Sequence, residues 1–179
     1  REQSGNIMDI GFDLYCQMLD DTVRRLKGEK HRKIIRTPVF LKVDTFIPDE
    51  YISDQKQKIE FYKKFESCEN ENEIDTVMEE ITDRFGKPPY NLLILIELER
   101  IRAISTELQI EEIIEGEMAI RIRMSSDAKI VTKKLLEILK TDKRIMLDPK
   151  DKEVLICRIC ETDAEKKLFE LKKLLQSFT

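Results

Sequence analysis

Apolar residues recur three or four positions apart through much of this chain, and the places where that period breaks mark its elements. Phe12, Tyr15, Cys16, Leu19, Val23 and Leu26 predict one amphipathic helix over residues 12–27, ended by Gly28. Val39–Val43 is β-branched and aromatic, which predicts a short strand after Pro38. The turn IPDE leads to Ser53, placed to cap a helix that carries Ile59, Tyr62 and Phe65 on one face. Asn70 and Glu73 then stand at capping-box spacing before a stripe of Ile74, Val77, Met78, Ile81 and Phe85, with Gly86 as a left-handed stop. Pro88 and Pro89 separate this helix from a third that runs to about Leu108, with Leu92, Leu95, Ile96, Ile101 and Ile104 as core candidates.

After Leu108 the period falls to two. Met118, Ile120, Ile122 and Met124 alternate with Glu117, Ala119, Arg121 and Arg123, the pattern of a strand with one wet face. Gly116 turns a preceding strand, Ile110–Ile114, into it, and Arg121 and Arg123 are expected to solubilise the sheet. A helix is predicted from Asp127 to about Lys140, then strands near Ile145–Leu147 and Val154–Ile159 around the turn DPKDK. The last helix begins at Thr162, whose partner Glu165 completes a capping box, and buries Leu168, Leu171, Leu174, Leu175 and Phe178. The fold class is α+β: an N-terminal helical segment, then helices packed on a small antiparallel β-sheet.

Composition narrows the class further. With 41% hydrophobic residues, 38% charged, and five each of Gly and Pro, the 179-residue chain suits a helix-rich globular domain. Its net charge of −4 conceals two blocks. Arg24, Arg25, Lys27, Lys30, Arg32, Lys33 and Arg36 crowd one stretch, while Glu66, Glu69, Glu71, Glu73, Asp75, Glu79 and Glu80 crowd another. No signal-peptide pattern is visible, and the longest apolar run, Leu92–Leu98, is broken by Glu97 and reads as a core helix. These features predict a cytoplasmic protein with no membrane partner.

The acidic block ends at an unfavourable place. Glu79, Glu80 and Asp83 occupy the last turns before Gly86, where the helix dipole is negative, and each exposed carboxylate there costs roughly 0.3–1 kcal/mol. Arg84 and Lys87 are the only bases nearby in sequence, so a solvated helix end and a surface for a basic partner are both open readings.

Familiar catalytic patterns are missing. The chain has no GxxxxGK[ST] phosphate loop, no GxGxxG and no GxSxG, which argues against autonomous nucleotide hydrolysis or acyl transfer. The single histidine, His31, lies in the basic linker. Cys157 and Cys160 form a CxxC, but no second ligand pair exists for zinc and no βαβ context for a redox motif, so both read as ordinary thiols. Asp49, Glu50 and Asp54 read as turn and cap residues. The basic stretch 24–36, with Arg24, Arg25 and Lys27 as phosphate contacts, leaves an accessory DNA-binding module as the alternative function.

Three segments resemble one family. EQSGNIMDIGFDLYCQMLDDTVRRLKGEK is similar to the end of the translocation module of bacterial transcription-repair coupling factors, with a related pattern in the RecG branch-migration translocases. FIPDEYISDQKQKIEFYKKF resembles the start of the coupling factors' C-terminal (TRCF) domain, and EEITDRFGKPP that domain's most recognisable motif. Two positions depart from the pattern. Asn6 stands where histidine is common, and Gln109 stands where a glycine often ends the long helix, which implies a different turn into the sheet.

The resemblance implies residues 1–27 as the end of a translocase module, 28–38 as a basic linker and 39–179 as a regulatory domain. Gln3, Ser4, Gly5, Gly11 and Phe12 would be the remnant of a motif coupling ATP hydrolysis to translocation. The parent would be an ATP-dependent double-stranded DNA translocase acting on stalled RNA polymerase and recruiting UvrA in nucleotide excision repair. ATP and Mg would belong to its upstream motor, with no enzyme activity, cofactor or metal in this fragment. The C-terminal domain would clamp an N-terminal UvrB-like module and mask the UvrA-binding surface, with Glu80, Asp83 and Arg84 at the contact.

Overall fold

The chain divides into two units, residues 1–34 and 35–179, and the computed structural model describes residues 36–159 and 161–179. The predicted helix 12–27 therefore lies outside the described residues. Within the second unit a two-residue strand β1 (Val39–Phe40) precedes three helices, α1 (Gln55–Ser67), α2 (Glu71–Phe85) and α3 (Tyr90–Glu107). Strands β2 (Ile110–Glu115) and β3 (Ile120–Met124), helix α4 (Thr132–Thr141), strands β4 (Ile145–Leu147) and β5 (Val154–Cys157), and helix α5 (Ala164–Gln176) complete the α+β fold.

The sheet has the order β1-β2-β3-β5-β4. Its last four strands pair antiparallel, with Ile113 opposite Ile122 and Ile122 opposite Leu155. β1 adds a parallel edge through Val39 opposite Ile113, so the complete sheet is mixed. The predicted strand over 39–43 ends early because the Lys42 N–H donates to the Glu115 carboxylate at 2.7 Å, and the Lys42 ammonium to the Gly116 carbonyl at 2.8 Å. Gly116 closes the β2–β3 turn by donating its N–H to Ala119 at 2.9 Å.

Two apolar clusters share α3. Ile94, Leu98 and Ile101 face the sheet, where Ile113, Ile120, Ile122 and Leu155 meet Leu168, Leu171 and Leu175 of α5. Leu92, Leu95, Ile96 and Ala103 face α1 and α2, where Phe61, Phe65, Ile74 and Ile81 are buried. The α2 and α5 stripes match their sequence periods. In α1 the buried aromatic pair is Phe61 and Phe65, while Ile59 and Tyr62 are half-buried.

Caps differ from expectation by one residue at two helices. Asp54, not Ser53, caps α1 by accepting from the N–H groups of Lys56 and Gln57, and Asp163, not Thr162, caps α5 by accepting from Lys166. A carboxylate adds charge to the hydrogen bond at a positive helix end, which favours the aspartate of each adjacent pair. Asn70 caps α2 as expected, accepting from the Glu73 N–H at 3.1 Å, and Glu73 reaches back to the Glu69 N–H at 2.8 Å. α4 starts five residues later than Asp127, because the N–H groups of Lys129 and Val131 are already donated to the carbonyls of Leu108 and Phe178.

The wet face of β3 is more tightly organised than its pattern implied. Arg121 donates to Asp148 at 2.7 Å and Arg123 to Asp151 at 2.8 Å, so the two arginines fasten β3 to the β4–β5 turn. The same aspartates accept from the backbone N–H groups of Lys150 and Glu153, which shapes the turn.

Gln109 corrects a second expectation. The chain keeps a left-handed residue after α3 although no glycine stands there: Gln109 has φ +56°, donating its N–H to Thr106 and accepting from the Ser125 hydroxyl at 2.7 Å. A non-glycine residue in that region carries about 1–2 kcal/mol of steric cost, partly offset by the larger unfolded-state entropy of glycine. Gln109→Gly is expected to stabilise the domain by about 0.5–1 kcal/mol, measured by urea denaturation.

Acid should destabilise the fold through its paired carboxylates. Hydrogen bonds hold Asp49 (from Lys58), Asp142 (from Arg144), Asp148 (from the Lys150 N–H, then Arg121) and Asp151 (from Arg123) below the usual aspartate range. Groups with depressed folded values give stability that is complete above the unfolded carboxylate range and disappears as pH falls through the folded values. The urea midpoint is therefore expected to hold between about pH 7 and 5.5 and to drop by about pH 3.

Candidate functional site

The end of α2 brings the acidic motif onto an aromatic platform. Ile74 and Ile81 bury one side of the helix, which leaves Glu79 and Asp83 exposed and Glu80 half-buried. Phe61 of α1 meets Phe85 edge-on, with centroids 5.8 Å apart, and Tyr51 lies 5.9 Å from Phe85 on another side. The Arg84 guanidinium sits over both phenylalanine rings, at 5.1 and 5.2 Å, where the ring quadrupoles attract a cation.

Glu80 is committed inside the domain. Lys64 of α1 donates to its two carboxylate oxygens at 2.6 and 2.8 Å, and Arg84 adds a contact at 3.3 Å. The hydrogen bond from Lys64 holds the Glu80 carboxyl below the usual glutamate range, and the same bond pushes Lys64 up. Glu80 and Arg84 are thus brought together, but Glu80 is compensated chiefly by a lysine sixteen residues upstream on another helix. Periodicity within α2 gives no sign of that partner.

Asp83 is different. It is exposed, and neither it nor Glu79 has an ion pair or side-chain hydrogen bond among the described residues. Lys87 is exposed as well and does not pair with Asp83. The helix therefore ends with an uncompensated carboxylate at its negative pole beside a pinned Glu80–Lys64–Arg84 group.

Gly86 completes this end in a conformation other than the expected left-handed one. Its φ of +82° and ψ of −159° define a region that glycine alone adopts readily. Its N–H donates to the Thr82 carbonyl at 2.8 Å, and its own carbonyl accepts from the Tyr51 hydroxyl at 2.7 Å. Burial raises the Tyr51 pKa, so the phenol stays a donor to this turn.

Gln3, Ser4, Gly5, Gly11, Phe12, Arg24, Arg25 and Lys27 lie outside the described residues, as do His31, Cys16 and Cys160. Asp49 and Asp54 serve α1 as turn and cap residues, Asp49 also pairing with Lys58. Among the described residues no three His, Cys, Asp or Glu gather as a metal site requires. No helix among them is long and apolar enough to cross a membrane. Periodicity also gave no sign of a buried ion cluster on α3, where Glu99 accepts from Arg36 at 2.8 Å and from Arg102 at 2.7 Å.

Residues 41–135, from the segment after β1 into α4 and including the whole α2 surface, match the model of the TRCF domain. The chain belongs to the TRCF domain family. It is 33% identical over 140 residues, 76% of its length, to a transcription-repair-coupling factor of Bacillus subtilis (strain 168). It is 30% identical over 176 residues, 95% of its length, to one of Rickettsia typhi (strain ATCC VR-144 / Wilmington). These matches cover 12% and 16% of those relatives, so the chain spans a small fraction of their length. Its fold matches a crystal structure of the C-terminal domain of transcription-repair coupling factor with a TM-score of 0.70 at 21% identity, over 80% of this chain and 92% of that one. The matched region thus includes the acidic end of α2.

The described thiols are poor nucleophiles. Burial pushes Cys68 up to about 11 and Cys157 up to about 12, far from the thiolate range at neutral pH. Alkylation of the native chain at about pH 8, mapped by mass spectrometry, is expected to leave Cys68 and Cys157 unmodified until denaturant is added.

Proposed function

We propose that residues 39–179 form a non-catalytic regulatory domain of an ATP-dependent DNA translocase that couples transcription to nucleotide excision repair. In this reading the domain clamps an N-terminal UvrB-like module of the same protein and masks its UvrA-binding surface until the parent engages stalled RNA polymerase on double-stranded DNA. Residues 1–27 belong to the end of the motor and 28–38 to the linker. The motor supplies the chemistry of ATP and Mg.

The observation that carries the reading is the unpaired Asp83 beside the pinned Glu80. A basic partner would offset both the carboxylate and the negative helix pole, while Lys64 and Arg84 keep the neighbouring acid in place. Such a contact contributes little at a wet rim and a few kcal/mol when desolvated, a range compatible with a clamp that opens. The family match over 41–135 supports the assignment of the motif to this domain. The alternative, DNA binding through 24–36, rests on residues that lie outside the described ones except for Arg36, which is bound to Glu99.

In the full-length parent, deletion of 39–179 is expected to increase UvrA affinity by about tenfold or more, read by fluorescence anisotropy. Asp83→Lys should recover most of that gain while the fold, followed by circular dichroism, is unchanged. Unaltered UvrA binding in the deletion would rule out masking; a gain in the deletion with none in Asp83→Lys would move the contact elsewhere on the domain.

A further inference from the structure

Helices α4 and α5 and strand β4 surround an open cleft of about 490 Å³, apart from every element of the α2 surface. Its floor is apolar. Ile138, Ile145, Ile159 and Leu174 line it, and all four belong to or pack against the sheet core. The volume is within the range of sites that enclose a side chain or a small ligand. Phe169 lines the cleft with 61% of its surface exposed, whereas Leu168, Leu171 and Leu175 of the same helix are fully buried. A large aromatic side chain left in water beside an apolar floor is the kind of residue on which protein partners anchor.

Charge selects the occupant. Lys166 and Lys173 flank Phe169 on α5 and also line the cleft; both are exposed, and neither has an ion pair among the described residues. The other lysines of this part of α5 are satisfied, Lys167 by Glu115 at 2.7 Å and Lys172 by Glu97. The two acids at the rim are already used, because Arg144 binds Asp142 at 2.8 Å and Glu170 at 3.0 Å. Positions 166, 169, 170 and 173 fall on one face of a helix, which places both free cations beside the exposed ring.

We propose that this cleft is a docking site for a short acidic protein segment. One large apolar side chain of the segment seats on the floor of Ile138, Ile145 and Leu174 against Phe169, and its carboxylates face Lys166 and Lys173. Apolar burial supplies the affinity, and the lysines set the sign of the partner. A nucleic acid fits less well, since phosphates would leave the floor unfilled and would approach Asp142 and Glu170.

The test uses the whole chain and a fluorescein-labelled peptide of about twelve residues, rich in Glu with one central Phe, a length that spans a few helical turns. Saturable binding is expected in anisotropy, with amide shift changes at Ile138, Ile145 and Phe169 in ¹H–¹⁵N spectra. Phe169→Ala, or the double variant Lys166→Glu and Lys173→Glu, should each weaken binding by about tenfold. These side chains are exposed, and circular dichroism verifies that the variants remain folded. The proposal is overturned by absent saturation, by equal binding of a Lys-rich version of the peptide, or by unchanged affinity in both variants. A duplex oligonucleotide that binds the same residues more tightly would overturn it too, as would shifts there that depend on protein concentration alone and so identify a second copy as the occupant.

Discussion

Glu99 is only 1% exposed on a helix that is buried along most of its length, and the arrangement of both apolar clusters depends on its charge being matched. A carboxylate removed from water costs several kcal/mol unless it is paired and hydrogen-bonded. Arg36 and Arg102 supply that pairing from two directions, at 2.8 and 2.7 Å. Arg36 comes from the segment entering β1, while Arg102 lies one turn along α3. The ion cluster thus ties the chain's entry to the spine of the domain. α3 can then present Leu98 and Ile101 to the sheet and Leu95 and Ile96 to the helical layer without exposing a charge between them.

That shared spine also explains which parts of the fold were legible. α2 and α5 each turn one apolar stripe to the core, so a period of three to four residues identifies their buried positions directly. α3 has no such single stripe; Ile94, Leu98 and Ser105 are buried along with the expected Leu92, Leu95, Ile96 and Ile101, while Ile104 is half-buried, because both sides are covered. The strands β2 to β5 followed from alternation and turn residues. β1 was readable as a strand, but its parallel partner was not, since Val39 pairs with Ile113 across three intervening helices. The shifts at Asp54 and Asp163 arise where two capable caps stand side by side and the charged one is favoured at the positive helix end.

The candidate site divides in the same way. That Glu79, Glu80 and Asp83 crowd a negative helix pole follows from sequence spacing alone. Which of them is available does not, because the decision rests with Lys64 on another helix. Glu80 belongs to the domain's internal electrostatics and Arg84 to its aromatic platform, so Asp83, like Glu79 one turn before it, is left exposed without a counter-ion. Held and unpaired side chains thus stand side by side within about the last two turns of this helix. The glycine is part of the scaffold: its unusual backbone and the Tyr51 hydroxyl fix where the helix ends.

The short β1 edge has a mechanical meaning. Tension transmitted from upstream of Arg36 reaches a strand of two residues, which by itself would peel from the sheet at little cost. Before that strand stand side-chain ties to the interior: Arg36 to Glu99, the Thr37 N–H to the Thr106 hydroxyl at 3.0 Å, and the Thr37 hydroxyl to the Ile110 carbonyl at 2.7 Å. Load entering the domain is therefore passed to the buried helix and the start of β2 rather than borne by the edge strand.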